Sequence, residues 1–420
     1  MTSHLILSYL LLLIGSLMIH LSTAIESPNT RVLQHPWERH VDLNPFPSLA
    51  ELEERTSIEQ IDDVLDQVTS TDGGIIIQQY RPKPSFLWRR WFGTVIYDAW
   101  PRVVLNMAWT TAFCVWVRYQ THGDCQVFNM NHMGGDHHQS LVSAFTIADK
   151  LWSTLMSFTT FLLTFFVGQA YSFWKSFIDL GRSIQGSFNT IPFLLTTHAS
   201  RNPKTGRYTP EAELFLQDIG KQLKLFHLLH WASQARRFRV LLTDKGWDQM
   251  VARGLVSEDE RRRLHSINVG PTQKQVCVLQ RMVVDTQKAM GDKKIIGVQY
   301  ATLQKKLLEE FSKVRGTTST VPDLIAGRMP LAYVHFVQIL VDTFLLSTPI
   351  AKYSDMGIFS VLMIGILTLF FHGLLILAKV FLDPLDNEDF CEGCVYLDLA
   401  VLLRESNGGI DKYITGAGII

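Results

Sequence analysis

The chain has 420 residues, of which 47% are hydrophobic and 19% charged, and its formal net charge is zero. That charged share lies below the ~25% usual for soluble domains, and the apolar residues are clustered, so composition points to a membrane protein. A zero net charge excludes a global field that would draw in nucleic acid, and five cysteines give no disulfide framework.

Residues 1–24 read as a signal or targeting segment. Leu5 to Ile19 is an apolar core, and Ser22-Thr23-Ala24 is a small-x-small cleavage signature. The basic start of such a segment is missing, which leaves an uncleaved signal anchor as the second reading. Residues 25–87 are polar. Within them Leu49–Val68 has helical apolar spacing, Gly73-Gly74 breaks it, and Ile75–Tyr80 reads as extended. Arg81, Lys83, Arg89 and Arg90 then cluster ahead of a first apolar span at about 100–117, with Pro101 in its first turn and Arg118 ending it. The stretch from Tyr119 to Asp149 contains no Lys or Arg but holds His122, His132, His137, His138, Asp124 and Asp136. No pair in it has ligand spacing on a defined element, so it reads as a solvated loop.

A second span, 151–174, carries no charge up to Trp174. Met156, Thr160, Thr164 and Gly168 recur every four residues on it and share one face. That face serves either a small, hydroxyl-bearing contact between helices or the lining of a water-filled path. Residues 175–328 are helical by period and soluble in character, with many basic residues. Within them Gly254 suits a helix C′ position and Ser257 with Glu260 spells a capping box. The third and fourth spans are expected at 330–350 and 357–382. Asp342, His335 and His372 lie inside them, and an ionisable group in a membrane is a functional candidate. The acidic stretch DPLDNEDF follows, then a lone CEGC read as structural, and a tail over 405–420. Basic residues flank the spans at Arg81 to Arg90, at Lys175 and Arg182, and through Arg201 to Arg328, and the loop between the first and second spans has none. The positive-inside rule therefore puts the soluble bulk on the cytoplasmic or stromal side.

Several of these segments resemble bestrophins, with an algal or plant-like member as the nearest pattern. RRWFGTVIYDAWPRVVL is similar to the family's entry segment. GQAYSFWKSFIDLGRSIQG resembles the end of its second membrane helix, and ARRFRVLLTDKGWDQMVARGLVSEDERRRL its basic soluble segment. PLAYVH resembles the entry to its third span, and the ten-residue interval from Gly373 to Asp383 is similar to its glycine-to-acidic-motif spacing. The resemblance covers 88–404. It implies an all-α membrane protein of four transmembrane helices plus a large helical cytoplasmic or stromal region, assembled as a pentamer around an axial pore lined by the second span. It also implies passive conduction of small monovalent anions, chloride or bicarbonate. The neck positions fall on Met156, Thr160 and Thr164, where the family has bulky Ile and Phe. The acidic motif would be a calcium clasp of Asp383, Asp386, Asn387, Glu388 and Asp389, but Lys379 and Val380 replace the acidic/amide pair that precedes it. The pore-helix end departs as well, with Ser172, Phe173 and Trp174 in place of the family's arginine or paired tryptophan. No covalent chemistry is expected. The partners implied are membrane lipid, anions and further copies of the chain, with no nucleic acid, and no cofactor beyond calcium. A non-conducting scaffold or regulator is the alternative, and a membrane enzyme using His335, Asp342 and His372 a more distant one. The membrane itself stays open between endomembrane, plasma membrane and plastid thylakoid.

Overall fold

The computed structural model describes residues 47–69, 94–120, 136–297, 301–385 and 397–416, with the side chains of 136–145 left aside. Twelve α-helices make up the described residues, which hold no strand beyond isolated bridges at Ala199–Ile296 and Arg201–Tyr208. They are α1 Leu49–Arg55, α2 Ile58–Thr69, α3 Val95–Gln120, α4 Asp136–His198, α5 Pro210–Gln234, α6 Asp244–Ala252, α7 Glu258–Ser266, α8 Lys274–Gly291, α9 Ala301–Ala326, α10 Leu331–Met356, α11 Ser360–Phe381 and α12 Leu399–Gly416. The fold is all-α. Two compact units divide the chain: one draws on 101–161 and 339–371, the other on 46–100, 162–338 and 372–420.

Helices stand at all four expected spans, with shifted ends. Two stretches, Thr146–His198 and Leu331–Phe381, are long and apolar enough to cross a membrane. The second comprises both α10 and α11. The α3 helix does not reach that mark, because Asp98, Arg102 and Arg118 dilute its apolar residues. The expected loop over 119–149 is shorter than its composition suggested, since α4 already begins at Asp136. His122 and His132 lie outside the described residues, as do Gly73-Gly74, Ile75–Tyr80 and both cysteines of CEGC.

In the first unit, α10 and α11 run back along each other. Phe344 and Phe371 meet at 4.7 Å between ring centroids. Gly357 (φ +52°), in the 3-10 turn between the helices, supplies the left-handed residue that this reversal uses. Polar groups tie α3 to α11: Asn106 Nδ2 donates to Thr368 Oγ1 at 3.0 Å, and Cys114 Sγ lies 3.6 Å from Ser360 Oγ. Gly365 lets the two helices close, because a Cβ there would sit 2.9 Å from Met107 Sδ. Small residues and interhelical hydrogen bonds are the adhesive available where lipid removes the hydrophobic drive. Between α4 and α10, Trp152 stacks on Phe344 (5.2 Å) and donates to Thr348 Oγ1 at 3.0 Å. Lys352 pairs with Asp149 and lies 4.6 Å from the Trp152 ring.

The second unit is built around α5. Thr209 caps this helix by accepting from Ala212 N, and Pro210 occupies its first turn. Ala212, Leu216, Ile219, Leu223, Phe226 and Leu229 are buried along it. His227 and His230 are buried as well. His227 stacks on Phe188 at 4.5 Å and its Nε2 accepts from Trp231 Nε1 at 2.8 Å, while His230 lies parallel to Phe226. Burial, with the neighbouring His230 adding to it, pushes His227 down to about 3, and burial alone does the same to His230.

The helix expected over 49–68 is two helices, parted at Thr56, whose extended backbone ends α1. Ser57 then opens α2 with a capping box of its own: it accepts from Gln60 N, and its N–H donates to Gln60 Oε1. Gly254 has φ +70° at the end of α6, as its C′ reading requires. Ser257 accepts from Glu260 N at 3.2 Å, but the Glu260 carboxylate turns to Arg281 (3.3 Å) and leaves the capping box half made. Arg253 holds α2 in place through Asp62 (2.9 Å) and Asp66. Because these groups are part-exposed, Arg253→Ala is expected to cost only about 1 kcal/mol of global stability. Its clearer readout is local: faster limited proteolysis within α2, with cleavage elsewhere unchanged.

Candidate functional site

The α4 helix carries a buried line and an uncovered remainder. Trp152, Thr159, Leu163, Phe166, Ala170 and Phe177 are buried, spaced by sevens, fours and threes as one helix face demands. Met156, Thr160, Thr164 and Gly168 are all exposed, and so are Phe158, Phe161 and Phe165. Phe161 is 68% exposed, more than an isolated surface phenylalanine needs to be. The described residues leave the rings of Phe158, Phe161 and Phe165 uncovered.

Each step of four residues advances the face by about 40° at 3.6 residues per turn. The row of four therefore winds away from the buried line. Met156 stands near its edge and Gly168 on the far side, beside Phe161 and Ser172 in helical register. The threonines lie between.

Hydroxyl chemistry refines the sequence expectation. Thr160 Oγ1 donates to Met156 O at 2.8 Å, so its hydrogen is taken by its own helix. A ring of Thr160 would show a methyl group and oxygen lone pairs. Ser157 and Thr154 likewise return to Ser153 O and Lys150 O.

The expected intramembrane polar residues fall in two places. His335, Gln338 and Asp342 follow at i, i+3 and i+7 on α10, one face of that helix. His335 is exposed and Asp342 half-buried. His372, on α11, is buried. Lys379 Nζ donates to Gln338 Oε1 at 2.7 Å. The sequence reading set Lys379 aside as a departure at the clasp and missed Gln338; a glutamine one turn from an intramembrane Asp was the available signal. Lys352, Asp149 and Trp152 were also missed, and a lone charge at each of two span ends was the trace they left.

Among the described residues no group of three His, Cys, Asp or Glu side chains is placed to hold a metal. Of the expected clasp, Asp383 is half-buried just past α11, and Asp386, Asn387, Glu388 and Asp389 lie outside the described residues. Ca²⁺ takes six to eight oxygen donors, and of the expected set only Asp383 belongs to the described residues. The segment's base is pinned, since Leu397 N donates to Pro384 O at 2.9 Å. The aromatic end of α4 meets the same region: Tyr171 and Trp174 each lie 5.6 Å from Phe381.

No protein-family model matches the chain, and no curated protein matches it. Solved structures do. A crystal structure of a bacterial bestrophin homolog from Klebsiella pneumoniae is similar at 14% identity over 75% of this chain and 97% of its own, with a TM-score of 0.56. A mutant of that homolog gives 14% identity, 76% and 99% coverage and a TM-score of 0.57. A structure described as that of a membrane protein gives 13%, 76%, 98% and 0.56. The chain therefore has a bestrophin-like fold.

Proposed function

We propose that this chain is the subunit of a homopentameric, passive channel for small monovalent anions, chloride or bicarbonate, in an internal or surface membrane. The observation that carries the proposal is the uncovered, hydroxyl-bearing face of α4 in a bestrophin-like fold. Five copies around an axis would cover the exposed phenylalanines against one another and leave Met156, Thr160, Thr164 and Gly168 along the path. His335, Gln338, Asp342 and Lys379 would then fix the hairpin of α10 and α11 rather than perform chemistry.

The test is a planar-bilayer recording of the purified full-length protein, paired with light scattering in detergent. Anion-selective current from a species of five chains is the expected result. A stable pentamer with no current would favour the scaffold reading, and a monomer would sink both.

No calcium step enters this proposal. Asp383→Ala and Asp389→Ala are expected to change assembly or open time more than ion preference. Altered anion selectivity in either variant would instead place the acidic segment in the path. Silence in both, together with indifference to a calcium chelator, would reduce it to a helix-terminating loop.

A further inference from the structure

Within the second unit, α2, α5 and α12 enclose a cleft of about 260 Å³ that the conduction proposal does not use. Lys221 and Lys224 line it from α5 at i and i+3. Arg404, Asn407 and Asp411 line it from α12 at i, i+3 and i+7. Its floor is apolar, with Leu225, Leu228 and Leu403. It is smaller than the ~300–1,000 Å³ of pockets that take drug-sized ligands.

The charges do not balance. Lys224 Nζ pairs with Asp411 Oδ1 at 2.6 Å. Among the described residues, neither Lys221 nor Arg404 has a carboxylate partner. Yet in the same unit Arg182, Arg253, Arg261 and Arg281 each find one. Arg404 Nε is buried without an acceptor, and Asn407 Oδ1 is buried without a donor. Arg404 is half-buried, and an anion accepting from its guanidinium would offset the cost of the unpartnered Nε–H. Three cations against one carboxylate leave two positive charges in the cleft. A phosphate monoester, at about −1.5 to −2 near pH 7, matches that excess.

We propose that this cleft binds a small organic phosphate monoester, its phosphate facing Lys221 and Arg404 and its apolar body resting on the leucines. Binding would join the N-terminal helix α2 and the C-terminal helix α12 to the core helix α5.

Phenyl phosphate is the probe, titrated by calorimetry into the purified full-length protein beside inorganic phosphate and phenol. Saturable binding of phenyl phosphate at least tenfold tighter than of either fragment is expected. Arg404→Gln and Lys221→Gln should each weaken it at least tenfold, while Arg182→Gln, outside the cleft, should not change it. Gly408 offers a second route. It lines the mouth, and a Cβ there meets nothing within 4 Å, so Gly408→Trp should plug the cleft without disturbing the fold. This variant decides the question if Arg404→Gln misfolds. The same headgroup chemistry occurs in phosphatidic acid. A short-chain phosphatidic acid that outcompetes phenyl phosphate would name a lipid as the source, and failure to compete would name a soluble metabolite. The proposal is overturned if phenyl phosphate shows no saturable binding, or if Gly408→Trp binds it as the parent does.

Discussion

Thr164→Phe is expected to cut the single-channel current at least about tenfold, because a ring of five phenyl groups narrows and dries the path and an ion cannot cross unsolvated. Thr164→Ser should change little, since it keeps the hydroxyl and widens the ring slightly. The Thr160 geometry sharpens this expectation. With its hydrogen given to Met156 O, Thr160 contributes width and lone pairs more than donors. The parent pore should then stay wet without binding anions tightly, and bicarbonate should pass along with chloride. Phe161→Leu is the control on the more exposed side. It should act through packing between copies, lowering the melting temperature of the oligomer and leaving ion preference alone. Should Thr164→Phe conduct like the parent while Phe161→Leu shifts ion preference, the lining face is that of Phe161 and Phe165.

The second large effect concerns pH. His227 and His230 stay neutral in the folded core, with pKa values of about 3, against about 6.5 for a free histidine. The unfolded chain therefore binds more protons than the folded chain between those values. Stability from the pair is fully present above pH ~6.5 and is lost as pH falls toward 3. At pH 5 the loss is about 2 kcal/mol per histidine, from 1.36 kcal/mol per pH unit. Thermal unfolding of the parent should thus drop steeply between pH 7 and 5. The double variant His227→Gln, His230→Leu should flatten that slope, with Gln keeping an acceptor for Trp231 Nε1. An unchanged slope in the double variant would mean that the pair opens to water before the unit unfolds.

Local chemistry made much of the fold legible. Span positions follow from uninterrupted apolar runs, and the C′ role of Gly254 and the Ser257 cap follow from residue type. The break at Thr56 was harder to see, because α1 and α2 keep one apolar period and only the Ser57–Gln60 capping box parts them. The half-made box at Ser257 was hidden for a different reason. Arg281, 21 residues on, competes for Glu260, and sequence spacing does not show such a partner. At the candidate site, Thr160, Thr164 and Gly168 are exposed, on a row that winds round the helix rather than keeping to one face. Their order along the winding row was not legible, since it depends on where the buried line runs. Lys379 shows the opposite limit: read along the chain it looked like a lost ligand, and in space it is a hydrogen-bond donor to α10.

The buried line of α4 places a constraint on chain length. Trp152, Thr159 and Phe166 repeat every seven residues, and so do Leu163, Ala170 and Phe177. Inserting one residue between Thr159 and Leu163 would turn everything beyond it by about 100°, presenting Phe165 where Phe166 now packs. Inserting seven would restore the phase to within ~20°. Length variation in this helix is therefore quantised. Changes of about 7, 11 or 18 residues keep the outward residues outward, whereas a change of about two or five carries the inward line most of the way round.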